Sequence, residues 1–251
     1  SNYSEITKFV KKAGIPKSPI IPVAAQSSLN IDALIGAVEE TIETPTRDES
    51  KNTVLHVLRS FDINKPGTKI KNLNGGVIGG SLIQGKFSIG DEIEIKPGLH
   101  NEKKKNYQSI HTEIVSLGTG AGIVDVVKPG GLVAIGTKLD PSLTRSDSLI
   151  GSVIGKPDTL PENSTGAKLQ VNLFDTAVGS AGETKVTPIK VDELLRVSVG
   201  TAPVPAKVTK VTSDNVEIEF KRPVCIFAKG SVALSRRIAE RWRLIGAGVI
   251  D

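Results

Sequence analysis

The stretch GVIGGSLIQGKFSIGDEIEIK, residues 76–96, decides the fold class of this protein. Its end, from Glu92 to Lys96, alternates charged and apolar residues with the period of two expected for a strand with one buried face. The apolar first half, residues 76–87, predicts one strand, and the glycines that interrupt it suit the bends and bulges of a strongly curved strand. Gly90 and Asp91 supply a tight turn between the two halves. The stretch therefore predicts a curved antiparallel sheet of the kind that closes into a barrel.

The same signals continue along most of the chain. Further strands are predicted at 54–61, 112–117, 132–135, 150–154, 168–172, 194–199, 206–211, 216–220 and 232–234. A Pro-marked segment at 156–164 predicts a linker, and the lysines at 103–105 predict a solvated hairpin loop. We therefore predict a mainly β protein with two consecutive β-barrel domains, over residues 48–157 and 158–251.

Residues 1–47 are patterned differently. Ile6, Phe9 and Val10 have helical spacing, residues 20–24 indicate a short buried strand, and residues 30–42 indicate a second helix with one apolar face. Such a unit is too small to bury its own apolar faces, so we interpret it as the last part of an α/β domain. The absence of methionine from the sequence favours a piece of a longer protein.

Composition and charge narrow the class of protein. The net charge of +5 favours a polyanionic partner without identifying one. The single cysteine, Cys225, lies in an apolar run and is interpreted as a core residue of a protein from a reducing compartment. No apolar run is long enough to cross a bilayer and no signal-peptide pattern is present, which predicts a cytoplasmic protein without a membrane partner. The histidines lack the spacing of metal ligands and no catalytic constellation stands out, so we predict no metal site and no catalytic residue.

Three long motifs carry a resemblance to one family. They are RSFDINKPGT (59–68) with NLNGGVIGGSLIQG (72–85) and GDEIEIKPG (90–98), then KPGGLVAIGTKLDPSLT (128–144), and ALSRRIAERWRLIGAGV (233–249). Together and in this order they resemble the gamma subunit of translation initiation factor two, in its archaeal form. The resemblance implies two translation-factor barrels that follow a P-loop GTP-binding domain, of which residues 1–47 would be the remnant.

The resemblance also implies a GTPase that uses GTP and Mg²⁺ and delivers initiator methionyl-tRNA to the small ribosomal subunit. The phosphate-binding motif Gly-x-x-x-x-Gly-Lys-Ser/Thr does not occur in this sequence, so we predict that the chain alone holds no cofactor and does not hydrolyse GTP. The resemblance assigns a remnant of the guanine-binding loop to Ala24, Ala25 and Gln26. Ala24 stands where the family usually has Ser, and an ordinary turn is the alternative interpretation.

The resemblance places the aminoacylated end of initiator tRNA between the GTP-binding domain and the first barrel. The residues implied on the barrel are Lys128, Gly130, Gly131, Leu132, Gly79 and Gly80. Gly79 and Gly80 could equally be corners of the barrel. A C-terminal basic cluster that includes Arg236 and Arg237 is a second candidate RNA surface. Its alternative interpretation is a set of arginines that cover the outside of a barrel or pair with the neighbouring domain.

Two protein partners are implied by the family, because the alpha subunit docks on the first barrel and the beta subunit on the GTP-binding domain. We assign the alpha contact to Lys69, Asn72, Leu73 and Asn74, since an exposed leucine among polar residues could anchor an interface. A second interpretation of the whole chain is the barrel portion of a related aminoacyl-tRNA elongation factor, such as the selenocysteine-specific one. The motif at 59–68 argues against it.

Overall fold

The computed structural model describes residues 2–101, 106–179, 184–213 and 215–251, so the loop predicted at 103–105 lies outside these ranges. The chain divides into two compact units, residues 1–46 and residues 47–251. None of the described helices is long and apolar enough to span a bilayer.

The first unit contains two helices, α1 (Asn2–Lys12) and α2 (Ile31–Thr41), and both were predicted. The strand predicted at 20–24 is wrong, because only Ala24 of this segment forms a bridge, to Leu29. A strand is stable only beside another strand, and the described residues of this unit provide none. No residue of either helix is buried, and Phe9 on α1 is 69% exposed. The unit therefore leaves its apolar helix faces uncovered, as the sequence predicts.

The first barrel is built from short antiparallel strands. They are β1 (Val54–Phe61), β2 (Val77–Gln84), β3 (Phe87–Ser88), β4 (Glu92–Asn101), β5 (Asn106–Thr119), β6 (Gly122–Val124), β7 (Val126–Val127), β8 (Leu132–Thr137) and β9 (Val153–Gly155). The sheet runs β4-β9-β1-β2-β8-β5 and closes through the pairing of β4 with β5. β6 continues from β5, and β3 pairs with β7. Alternate side chains such as Leu55, Val57, Ile78 and Ile135 fill the interior.

The stretch that decided the fold is not one strand from Gly76 to Phe87, as its apolar pattern predicted. β2 ends at Gln84, and Gly85 has a φ of +71°, in the left-handed region that favours glycine. A Cβ at Gly85 would lie 2.5 Å from Thr53 Cα, so only glycine lets the chain turn this closely. The clean alternation that begins at Glu92 forms β4, as predicted.

The second barrel closes a sheet of its own. Its strands are β10 (Asn163–Val178), β11 (Leu194–Val199), β12 (Ala202–Val211), β13 (Asn215–Cys225), β14 (Ser231–Ile238) and β15 (Arg241–Ile250). Their order is β10-β13-β12-β11-β14-β15, and β10 pairs with β15 to complete the ring. β15 was not predicted, because its start, Arg-Trp-Arg, lacks the alternation that marks a strand. The mainly β class with two barrels is confirmed. Along the chain, the segment between Gly155 and Asn163 connects the two closed sheets.

The two barrels share an apolar seam. Val54 and Val153 of the first barrel pack with Leu160 of the connecting segment and with Cys225 and Phe227 of the second barrel. Cys225 is only 3% exposed, so its interpretation as a core residue is confirmed, and burial raises the pKa of its thiol to about 11. Such a thiol stays protonated at neutral pH and contributes packing rather than reactivity.

Polar contacts at the edge of this seam join the barrels further. The Lys96 side chain is nearly buried, with its Nζ 3.3 Å from the carbonyl oxygen of Leu160 and 3.3 Å from Glu162 Oε1. The Asn163 side chain donates a hydrogen bond of 3.0 Å to the carbonyl of Pro97. These bonds give the buried Lys96 ammonium and the Asn163 N–H group partners in place of water.

Candidate functional site

An open groove of about 550 Å³ lies on the outside of the first barrel. Its lining is almost entirely apolar or small. The lining residues are Leu58, Arg59, Phe61, Gly79, Gly80, Gly118, Thr119, Gly120, Gly122, Ile123, Leu132, Val133 and Ala134. Ile123 and Leu132 are 81% and 67% exposed, which is unusual for large aliphatic side chains that surround one depression.

The floor of the groove is a row of residues across four strands, and three of the four are small. In the strand register, Arg59 of β1 lies opposite Gly79 of β2, Gly79 lies opposite Ala134 of β8, and Ala134 lies opposite Gly118 of β5. Because side chains on one face of a sheet stand directly above such a row, three small residues in succession leave a depression between larger neighbours. The sequence motifs contain these residues, but only the register between strands brings them together.

Leu132 and the strand it begins supply one wall of the groove. On β8 the exposed Leu132 and Ala134 alternate with the buried Val133 and Ile135, so Leu132 must face outward if its neighbours fill the core. The implied tRNA residues Leu132, Gly79 and Gly80 are thus brought together in one groove.

The three other implied tRNA residues of this barrel do not line the groove. Gly130 and Gly131 are exposed and precede β8, and a Cβ at either would meet nothing within 4 Å. Lys128 Nζ lies 2.9 Å from Glu49 Oε2, in an exposed ion pair of the kind that contributes little energy.

Arg59 is the one charged side chain among the described residues that line the groove, and sequence reasoning did not single it out. Its Nε donates to both carboxylate oxygens of Asp147, at 2.9 Å and 3.1 Å. Asp147 Oδ1 also accepts a 2.9 Å hydrogen bond from the Ser60 backbone N–H. The Arg59 hydrogen bond, followed by that of Ser60, lowers the pKa of Asp147, and the same pair raises the pKa of Arg59.

Arg236, a candidate RNA residue in the second barrel, is engaged inside its own domain. Its side chain is 16% exposed; Nε and Nη2 bind the Glu193 carboxylate, with Nη2 3.1 Å from Oε2. Nη1 donates to the carbonyl of Thr187 at 2.9 Å and to its hydroxyl at 3.0 Å. For Arg236 this geometry favours the alternative interpretation of an arginine that covers the outside of a barrel, because its partners belong to its own barrel.

Arg237 faces solvent and pairs with Glu240, at 2.7 Å between Nη2 and Oε2. It lies directly opposite the half-buried Trp242 in the register of β14 and β15. The assignment of Arg237 to RNA stays a prediction.

The residues assigned to the alpha contact lie around one helical turn, Ile70–Asn72. Lys69 precedes the turn, Leu73 follows it and is 40% exposed, and the backbone of Asn74 is held by two 2.8 Å hydrogen bonds with the Asn64 side chain. Ile70, which the assignment left out, is 88% exposed. The sequence contains a signal for this exposure, because Ile70 lies between two lysines in a polar loop that has no core to bury it.

A second groove, of about 440 Å³, adjoins the same loop. Leu73 and Asn74 line it together with Val115, Lys138 and Asp140 of the barrel. An exposed apolar loop beside a groove that carries a positive and a negative side chain is suited to protein docking.

The predicted guanine-loop remnant forms a short 3-10 turn, Ala25–Ser27, in the first unit. The N–H and C=O of Ala24 are both bonded to Leu29, at 3.2 Å and 3.1 Å. The backbone groups that these residues could present to a nucleotide are therefore mainly the first N–H groups of the turn. The assignment of Ala24, Ala25 and Gln26 to nucleotide stays a prediction.

Comparison with known proteins agrees with this architecture. Residues 165–250 match the family model of "Initiation factor eIF2 gamma, C terminal". The chain is 49% identical to translation initiation factor 2 subunit gamma of Archaeoglobus fulgidus over 99% of its length and 58% of that protein. It is also 49% identical to the Aeropyrum pernix subunit, over 99% of its length and 61% of that protein. The chain thus spans about three fifths of the length of these relatives.

Solved structures with the same fold include elongation factors. A bacterial selenocysteine-specific elongation factor, EF-Sec, superposes with a TM-score of 0.75 at 15% identity, over 99% of this chain and 36% of that one. The elongation factor SelB of Methanococcus maripaludis gives a TM-score of 0.72 at 17% identity, over 98% of this chain and 55% of that one. These two likenesses concern the fold alone, whereas the identity of nearly half to the initiation factor subunits extends along the whole sequence. The chain belongs to the family of translation initiation factor 2 gamma subunits.

Proposed function

We propose that this chain serves translation initiation by holding the aminoacylated 3′ end of initiator tRNA in the groove on the first barrel. The observation that carries the proposal is the apolar groove floored by Gly79, Ala134 and Gly118 and walled by Leu132 and Ile123. A terminal base or an aminoacyl side chain presents a flat or apolar surface, and small floor residues let it approach the backbone closely.

The rest of the function is proposed for the whole factor. There the GTPase reaction with GTP and Mg²⁺, the beta-subunit contact and delivery to the small ribosomal subunit accompany tRNA binding. The turn at Ala24–Gln26 provides backbone groups but no carboxylate for a metal and no lysine for a phosphate. We therefore assign neither the phosphates of GTP nor Mg²⁺ to it, and propose Ala24, Ala25 and Gln26 only as part of the guanine-binding loop of the whole factor.

The groove is tested by filling it without disturbing the barrel. A Cβ at Gly79 would meet only Arg59 Cβ, at the ordinary contact distance of 3.6 Å, so Gly79→Val is tolerated at its Cβ and adds two methyl groups to the groove. Leu132→Asp replaces an apolar wall with a charge that repels RNA. We expect each variant to weaken binding of initiator aminoacyl-tRNA by about tenfold or more in fluorescence anisotropy titrations.

Leu194→Asp is the matched control, because Leu194 is also an exposed leucine on a strand, 44% accessible, but lies on the second barrel. It should leave the affinity within about twofold, a shift well below 1 kcal/mol. Unchanged affinity in both groove variants, with the folds intact by circular dichroism, would exclude the groove as the binding site.

For the alpha subunit we propose docking on the loop of Lys69, Asn72, Leu73 and Asn74, with Ile70 as a further anchor. Leu73→Asp and Ile70→Asp should each weaken alpha binding in calorimetry by about tenfold, since a central apolar anchor contributes more than 1 kcal/mol. Ile63→Asp is the control, because Ile63 is 52% exposed and precedes this loop. Alpha affinity that is the same in both loop variants as in the unmodified chain would contradict the assignment.

A further inference from the structure

The resemblance assigns no role to Arg59, the charged residue at the edge of the groove. We propose that Arg59, fixed in place by Asp147, binds a phosphodiester adjacent to the terminal nucleoside of the RNA 3′ end. The inference rests on the proposed function of the groove and names the residue that orients the RNA there.

The free donors of Arg59 are the first observation. Among the described residues Arg59 donates only through Nε, to Asp147, so both terminal NH₂ groups remain available at the edge of the groove. The side chain is 66% exposed, which leaves it open to a ligand. A guanidinium with two parallel N–H groups matches two phosphate oxygens, whereas an apolar floor cannot recognise a phosphate at all.

The position of Arg59 supports the same conclusion. Arg59 lies at the end of the row, opposite Gly79, so its stem is beside the three small residues of the floor. A nucleoside seated on Gly79 and Ala134 would therefore have its backbone near one end of the row. Lys128, the cation among the tRNA residues that the resemblance implies on this barrel, does not line the groove.

Asp147 explains how the guanidinium is held. Its carboxylate accepts from Arg59 Nε and from the Ser60 N–H, which ties the strand and the arginine side chain to one short turn. Judged by charge alone, a carboxylate beside a phosphate site would weaken RNA binding. Asp147 is therefore a positioning residue. Removal of its charge should strengthen RNA binding if only charge matters, and should weaken it if Asp147 positions Arg59.

The test compares the binding of two ligands to the 251-residue chain and to four variants of it. Puromycin is an aminoacyl-nucleoside analogue without a phosphate, and an RNA minihelix ending in CCA with a 3′ amide-linked amino acid carries the phosphodiesters. Arg59→Lys keeps the charge but loses the paired N–H groups. Asp147→Asn keeps an oxygen for Ser60 but loses the ion pair. Asp192→Asn is the control, since Asp192 also has positive φ, also pairs with a surface cation, Lys207, and lies on the second barrel.

We expect Arg59→Lys and Asp147→Asn each to weaken minihelix binding by about tenfold and to leave puromycin binding unchanged, as followed by NMR titration. Asp192→Asn should leave the affinity for the minihelix equal or slightly greater. In the unmodified chain, the Arg59 guanidinium signals should shift with the minihelix and not with puromycin, a readout that does not depend on any variant folding.

Tighter or unchanged minihelix binding by Asp147→Asn would overturn the positioning role, because charge alone predicts that direction. Equal losses for both ligands would show that Arg59 contacts the nucleoside, and would overturn the phosphate assignment. If the unmodified chain binds neither ligand, the groove proposal itself fails. Leu132→Asp distinguishes these cases, because it should weaken the binding of both ligands if the groove holds the nucleoside.

Discussion

Gly79 and Gly80 are neighbours on β2, yet a methyl group would meet different surroundings at the two positions. At Gly79 it would project into the groove, while at Gly80 it would meet the carbonyl oxygen of His56 and lie 2.5 Å from Leu55 Cδ2. Gly80 thus lets two strands approach closely at a bulge in their pairing. Of the two interpretations of this pair, the barrel corner fits Gly80 and the open surface fits Gly79.

Gly80→Ala is therefore expected to destabilise the first barrel. Forcing a methyl group against backbone and a buried leucine costs about 1–3 kcal/mol of unfolding free energy. Gly131→Ala, with no atom within 4 Å of its Cβ, should change that free energy by less than about 0.5 kcal/mol. Urea denaturation of both variants measures the difference, and equal stabilities would contradict the packing argument.

At the scale of elements, Arg236 on β14 fastens the segment that leads from β10 into β11. Its guanidinium binds the Thr187 and Pro188 carbonyls and the Glu193 carboxylate, all within residues 184–193. Part of this segment also pairs with β10, where the Val186 N–H donates to the Asp175 carbonyl at 3.0 Å. One side chain therefore holds a long connection against the barrel.

Arg236→Lys should loosen this connection, because an ammonium cannot reach the carboxylate and the carbonyls in the same geometry. The expected loss of unfolding free energy is about 1.5–3 kcal/mol, the range for hydrogen bonds to charged groups, with faster hydrogen exchange at the Val186 amide. Arg237→Lys is the control, since its pair with Glu240 is exposed and should contribute little. Equal exchange rates in both variants would contradict the fastening role.

At the scale of the whole molecule, the barrels of residues 47–251 are joined by a seam that includes a histidine. His56 projects outward from β1, and a Cβ at Gly200 of the second barrel would lie 2.7 Å from His56 Nδ1. The His56 ring also contacts Phe227 edge to face, with 6.4 Å between centroids. Burial in this contact lowers the pKa of His56 below 6.5.

This lowered pKa predicts a seam that weakens in acid. Between the folded pKa of His56 and 6.5 the unfolded chain binds the proton and the folded chain does not, so stability falls as pH decreases through that window. We expect His56→Gln to show a smaller loss of melting temperature between pH 7.5 and pH 5.5 than the unmodified chain. His100→Gln, which replaces an exposed histidine, should not reduce that loss, and identical pH profiles for all three chains would refute the prediction.

The local sequence pattern was sufficient to predict the fold class and many of the helices and strands. The alternation at 92–96, the glycine-broken apolar runs and the helical spacing at 31–41 each depend on residues close in sequence, so strands, helices and the mainly β class could be predicted. The long motifs were specific enough to indicate the family. Where local pattern failed, at 20–24 and at Arg241–Ile250, strand formation depended on the presence or absence of a neighbouring strand.

By itself, then, the sequence determined that this protein has two consecutive β-barrels and resembles one translation factor family. Only the tertiary structure decided that Arg59, Gly79, Ala134 and Gly118 form one row, that Asp147 holds Arg59, and that Arg236 is occupied within its own barrel. The physical reason is that strand register and barrel closure join residues far apart in the chain. No local periodicity specifies which of them become neighbours.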